Sequence, residues 1–124
     1  MDPSEALDEL TTLSAQIEDA AILGESGFVL ASTGAPERGE ELARVAAELL
    51  TAAADVRAGS AVTRIDVRLP QGSVFVVVEG SRSAVATTVP EPTAGLVLYD
   101  LRTALRRLDE APKAKPKRKR SASA

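Results

Sequence analysis

The chain has 124 residues, enough for one domain and too few for two separate cores. Its 44% hydrophobic content fits a globular protein. The absence of Cys excludes disulfides and thiolate metal sites, and the absence of His removes the commonest general base and metal ligand.

No apolar run approaches the roughly 18–20 residues needed to cross a bilayer. The N-terminal MDPSEALDEL is acidic and helical in pattern, unlike a signal peptide, so a cytoplasmic protein is expected. The net charge of −3 conceals a division. Met1 to Ala111 carries 18 carboxylates against nine arginines, a net −9, whereas Pro112 to Ala124 carries six basic residues and no acid. All four lysines lie in that tail. The composition therefore predicts a globular body over 1–111 and a disordered basic tail over 112–124.

Asp2 as N-cap, Pro3 at the first helical position and Glu5 at the third helical position predict a capped helix from about Pro3 to Gln16. Leu7, Leu10, Leu13 (or Ser14) and Ile17 form its apolar stripe. Two short apolar runs, Ala20 to Leu23 and Phe28 to Ser32, flank Gly24-Glu25-Ser26-Gly27 and read as a β-hairpin.

A second helix is expected from Glu37 to Arg57. Leu42, Val45, Ala46, Leu49, Ala53 and Val56 form one stripe, and Ala43, Ala47, Leu50 and Ala54 a second about a quarter-turn away. Arg44, Glu48, Thr51 and Asp55 hold the opposite side. This apolar sector is wider than the roughly 100° that one core-facing side requires. Either alanine simply raises helix propensity at half-exposed sites, or a second helix packs there, within the chain or across a dimer.

Three strands follow. Val62 to Leu69 alternates strictly, with Ile65, Val67 and Leu69 on one side and Arg64, Asp66 and Arg68 on the other, which suits a half-buried strand near a sheet edge. Val74 to Val78 does not alternate and is expected at the centre, and Ala84 to Val89 forms a fifth strand. A closing helix from Gly95 to Leu108 aligns Leu98, Leu101, Leu105 and Leu108, with Arg102, Arg106 and Arg107 near its end to complement the helix dipole. The order α-β-β-α-β-β-β-α predicts an α+β fold, a five-stranded antiparallel sheet flanked by helices.

That order resembles the roadblock/dynein light chain family, in its small bacterial, actinobacterial-type members. The likeness spans about Ser4 to Asp109. It lies in ALDELTTLSAQIEDAAILGESGFVLAST, in ELARVAAELLTAAADVRAG and in PEPTAGLVLYDLRTALRRL. The resemblance implies a roadblock fold and a homodimer, or a heterodimer with a paralogous roadblock-like chain. It also implies a platform for a small Ras-like GTPase in bacterial signalling or polarity, or for motor complexes. Some such members stimulate their GTPase by reshaping its switch regions, without inserting a catalytic arginine.

The implied dimer would bury Ala43, Ala47, Leu50 and Ala54 against their counterparts and join the edges at Arg64, Ile65, Asp66, Val67 and Arg68. A two-fold centred on Ile65 sets Arg64 opposite Asp66, and one centred on Val67 sets Asp66 opposite Arg68. Centring on Asp66 would oppose Arg64 to Arg68, which charge repulsion disfavours. The expected register is therefore Ile65- or Val67-centred. Arg44 and Glu48 are candidate partner contacts, against the plainer reading of an exposed helix face, which also covers Arg38 and Glu41.

No phosphate loop, dinucleotide fingerprint or nucleophile elbow is present, so no catalytic, cofactor-binding or metal residues are assigned. Glu37, Glu40 and Glu41 are read as favouring the positive end of their helix rather than as metal ligands. The tail residues Lys113, Lys115, Lys117, Arg118, Lys119 and Arg120 suit weak, salt-sensitive attachment to nucleic acid, anionic lipid or an acidic protein surface. The alternative function is thus a dimerising protein whose paired tails hold DNA nonspecifically.

Overall fold

The computed structural model describes residues 1–109. Asp2 caps the first helix: its Oδ1 accepts from Ser4 N at 2.8 Å, and Glu5 Oε1 accepts from Asp2 N at 3.3 Å. Helix α1 spans Pro3–Leu13, three residues shorter than expected. Its end follows from burial: Leu13 is 70% exposed while Ser14 is buried. Ile17, expected on the helix stripe, instead opens strand β1 (Ile17–Leu23), the conformation that a β-branched residue favours.

The hairpin forms as expected, with β2 at Val29–Ser32. Its turn is a single 3-10 turn in which Ser26 and Gly27 take positive φ (66° and 81°), and Gly24 N donates to Phe28 O at 2.8 Å. Helix α2 covers Pro36–Val56, opening on Pro36. The meander is β3 (Arg64–Leu69), β4 (Gly72–Glu79) and β5 (Arg82–Thr88), and α3 closes the described chain at Ala94–Arg107.

All pairings are antiparallel, in the order β2-β1-β5-β4-β3, so β1 joins β5 and leaves β2 and β3 as edges. Alternation along the strands divides the core. One face carries α1 and α3 over Ile22, Phe75 and Val77, with Leu7, Leu101 and Leu105 as the principal helix contributions. The other carries α2 alone, seated through Leu42 and Ala46 on Ala21, Leu23, Val76 and Val85. As expected, the middle of β4 is covered on both sides, its Phe75, Val76 and Val77 being fully buried.

The buried line of α2 differs from the expected stripe. Gly39, Leu42 and Ala46 face the sheet, with Ala43, Leu49 and Leu50 flanking them in partial burial. Val56, expected on the core-facing stripe, is 78% exposed at the end of α2. In α3 the buried residues are Val97, Leu101, Ala104 and Leu105, while Leu98 and Leu108 pack at the margin.

Candidate interaction surface

Strand β3 pairs with a neighbour on one side only. Val78 N donates to Thr63 O at 2.9 Å, and the register sets Arg64 against Val77 and Val67 against Val74. Thr63, Ile65, Val67 and Leu69 therefore direct their backbone groups to β4. Arg64, Asp66 and Arg68 direct theirs outward, away from the sheet, by the alternation of an antiparallel ladder. The side chains alternate too: Arg64, Asp66 and Arg68 are exposed, and Ile65 and Val67 half-buried. Leu69, on the apolar side, is 52% exposed. Arg68 Nη2 meets Asp66 Oδ2 at 3.4 Å along the strand.

Ile65 and Val74 flank the same apolar cluster that seats α2, as do Ala43, Leu49 and Leu50. The apolar side of β3 and the half-exposed flank of α2 thus share one face of the sheet. Beside them lies a groove of about 320 Å³, floored by Ala43, Ala46, Ala47 and Leu50 and closed by the turns at Gly24–Gly27 and Gly80–Ser83. Ala47 is exposed and Ala54 half-buried in the protomer. A shallower hollow follows the outer side of α2 along Ala47, Glu48, Thr51, Ala52 and Asp55. Arg44 and Glu48 project from that side and pair at 3.5 Å, with most of each side chain in solvent.

Other charged residues are committed to the fold, contrary to their reading as an open polar face. Arg38 Nε donates to Asp19 Oδ2 at 3.1 Å and its Nη1 bonds Glu41, so the start of α2 is tied to β1. These bonds, Glu41 first and Asp19 second, raise the guanidinium above its ordinary value. The arginines of α3 do more than complement its dipole. Glu79 of β4 receives Arg106 at 3.2 Å and Arg102 at 3.5 Å, and Arg107 reaches Glu9 of α1 at 2.8 Å.

Sequence reasoning also passed over Gly39. Its lack of a side chain lets α2 settle on Ser32, and only the position of glycine on the buried line could have signalled it. Among the described residues no three His, Cys, Asp or Glu side chains gather as a metal site, and no helix is long and apolar enough to cross a membrane. Lys113, Lys115, Lys117, Arg118, Lys119 and Arg120 lie outside the described residues, as does the expected boundary at 111/112.

No family model matches the chain. No curated protein sequence matches it either. Solved structures do. A Roadblock/LC7 domain from Streptomyces avermitilis superposes with a TM-score of 0.75 at 19% identity, covering 87% of this chain and 95% of that one. MglB of Myxococcus xanthus gives 0.70 at 18% identity over 86% and 90%. A profilin in the LokiProfilin2/rabbit actin complex gives 0.60 at 16% identity over 84% and 92%. The higher scores lie with the roadblock structures, and the fold is that of Roadblock/LC7 domains.

Proposed function

We propose that this chain is a bacterial member of the Roadblock/LC7 family, a non-enzymatic dimeric adaptor that binds a Ras-like small GTPase in the cytoplasm. The observation that carries the reading is the continuous surface formed by the half-exposed flank of α2 and the unpaired edge of β3. Leu69, Ala47 and the outward backbone groups of β3 all lack cover in the protomer. An edge with a row of free N–H and C=O groups invites strand pairing, and a second chain supplies it.

Two-fold pairing there would set Ala43, Ala47, Leu50 and Ala54 of α2 near their counterparts and leave Arg44 and Glu48 at the rim for the GTPase. The partner in pairing is a second copy or a paralogous chain. The likeness to MglB, solved also in a tetrameric arrangement, supports assembly of such domains. Regulation of the GTPase would act in trans, since no catalytic residue is assigned to this chain.

The test is affinity capture from the source cell with the full chain and with a chain ending at Ala111, followed by reconstitution with the captured GTPase loaded with GDP or a non-hydrolysable GTP analogue. The expected result is nucleotide-dependent binding by both forms. Capture of nucleic acid alone, lost with the tail and with salt, would overturn the reading in favour of a DNA-associated protein.

A further inference from the structure

We infer that the basic segment 115–120 docks on the α2 side of its own chain, along the groove beside that helix and the acidic hollow that continues it. The inference does not depend on the GTPase reading: it concerns what covers this side of α2 when no partner does.

The groove, of about 320 Å³, runs between α2 and two turns of the sheet. Its floor is Ala43, Ala46, Ala47 and Leu50, and its walls are mostly glycine and serine, so no large side chain fills it. Ala47 and Thr51 also belong to the hollow bounded by Glu48 and Asp55. Groove and hollow are therefore continuous along one side of the helix, and Ala47, Thr51 and Ala52 are exposed there.

The described chain ends at this groove. Arg82, one of the residues lining it, pairs with Asp109, the last described residue. The polypeptide thus leaves the body at the rim of the groove, and Asp109 neutralises the one cation that stands there. Fifteen residues follow Asp109. At about 3.3 Å per extended residue, position 115 comes within roughly 20 Å of the exit, against about 18 Å of helix between Ala43 and Asp55. So short a tether keeps the effective concentration near the millimolar range, where contacts too weak to hold a separate chain suffice.

Charge selects this side of the molecule for the segment. Among the described residues, Asp55 enters no ion pair, nor does Glu25 in the turn that walls the groove. Glu48 has only the solvent-exposed contact with Arg44 at 3.5 Å. Glu48 and Asp55 lie seven residues apart on α2, about 10.5 Å along its axis. Residues three apart in an extended chain span about 10 Å, so Lys115 with Arg118, or Lys117 with Arg120, can meet both carboxylates at once. Between and around these cations, residues 111–124 are only Ala, Pro and Ser. Such side chains can lie on an alanine floor and are too small to anchor there unaided, so the attachment is electrostatic and weakens with salt. Docking covers Ala47 and Thr51, and a partner that needs them must first displace the segment.

The chain has no cysteine, so Ser121→Cys places a single nitroxide label on the full-length, isotope-enriched protein. The expected result is loss of at least half the amide signal intensity at Ser26, Ala47 and Thr51. Leu13 of α1 and Leu69 of β3 should keep theirs, and salt at about 0.5 M should restore the lost signals. Glu48→Lys with Asp55→Lys should abolish the effect, both positions being exposed and the amide spectrum itself reporting whether the fold is kept. Lys115→Ser, Lys117→Ser, Arg118→Ser and Arg120→Ser together should do the same without touching the body. Signal loss confined to the end of α3, spread evenly over both faces of the sheet, or persisting in either set of variants would overturn the docking. Signal loss at α2 of an unlabelled enriched chain, mixed with labelled chain that is not enriched, would overturn its assignment to the same chain.

Discussion

Gly39 of α2 lies so close to Ser32 of β2 that a Cβ built on it would stand 2.5 Å from the Ser32 hydroxyl oxygen and 2.6 Å from its Cβ. The helix therefore reaches the sheet through backbone, at the first buried position along its length. That close approach ties the start of α2 to β2.

Gly39→Ala tests this contact against helix propensity. In an unconstrained helix the substitution would stabilise by up to about 1 kcal/mol. Here the added methyl must displace Ser32 or lift α2, at a cost of about 1–3 kcal/mol for overpacking. Urea denaturation should show a net loss, with the midpoint below that of the unsubstituted protein. Ser32→Gly in the Gly39→Ala background should recover part of it, since both clashing atoms belong to the Ser32 side chain.

The order of elements and the edge at β3 were legible in the sequence because those depend on local pattern, whereas the strand order was not. The capping box at Asp2 and Glu5, the glycine-bounded hairpin and the R-I-D-V-R alternation are all signals between near neighbours. What it withheld depends on contacts distant in sequence. Arg38 reads as a solvated helix residue until β1 brings Asp19 beside it. Val56 reads as core by its helical phase, yet at the last residue of α2 it stands in solvent. At β3 the charge alternation narrows the expected register to two centres and goes no further.

Arg38 supplies the second prediction. Its bonds to Asp19 and Glu41 raise the guanidinium above its ordinary value, so the folded protein holds this proton more tightly than the unfolded chain. The stability so gained is fully present below the ordinary arginine value and is lost only as pH rises through the raised one, far above the neutral range. Arg38→Met should accordingly lower stability by no more than about 1 kcal/mol, a figure discounted because the side chain is 39% exposed. The difference from the unsubstituted protein should stay flat between pH 6 and pH 9 as far as Arg38 itself is concerned, and should shrink in about 1 M salt. Thermal unfolding at two ionic strengths checks both statements.

Thr88 supplies the third. It is buried at the end of β5, where its hydroxyl accepts from Ser73 N at 3.1 Å and donates to Val89 O at 2.9 Å. Next to it Gly72 passes so near the Thr88 carbonyl that no side chain fits there. Thr88→Val keeps the shape and removes both bonds, leaving Ser73 N–H buried without a partner, which costs about 1–3 kcal/mol. Thr88→Ser, which keeps the hydroxyl and gives up one methyl, should lose less. Guanidinium denaturation of the two variants should rank them in that order, and equal losses would show that the methyl, not the hydrogen bonds, matters.

The fourth prediction separates the face proposed for pairing from the face proposed to meet a GTPase, both of which lie on α2. Ala47 is exposed in the protomer and borders the groove beneath the β4–β5 turn, whereas Arg44 projects outward and pairs with Glu48. Ala47→Glu puts a good helix former on an exposed site, so the protomer should lose only a few tenths of a kcal/mol. If α2 packs on its twin through this stripe, the same change brings two carboxylates into an apolar contact. Desolvation then costs about 2–3 kcal/mol, raising the dimer dissociation constant by roughly a hundredfold. Arg44→Glu instead sets like charges four residues apart, a penalty of about 0.3–0.5 kcal/mol within the helix, and leaves the stripe untouched. Sedimentation velocity should find Ala47→Glu monomeric and Arg44→Glu dimeric, while capture of the GTPase should weaken in Arg44→Glu with its dimer intact. A dimeric Ala47→Glu would remove α2 from the pairing surface and leave the β3 edge to hold the two chains alone.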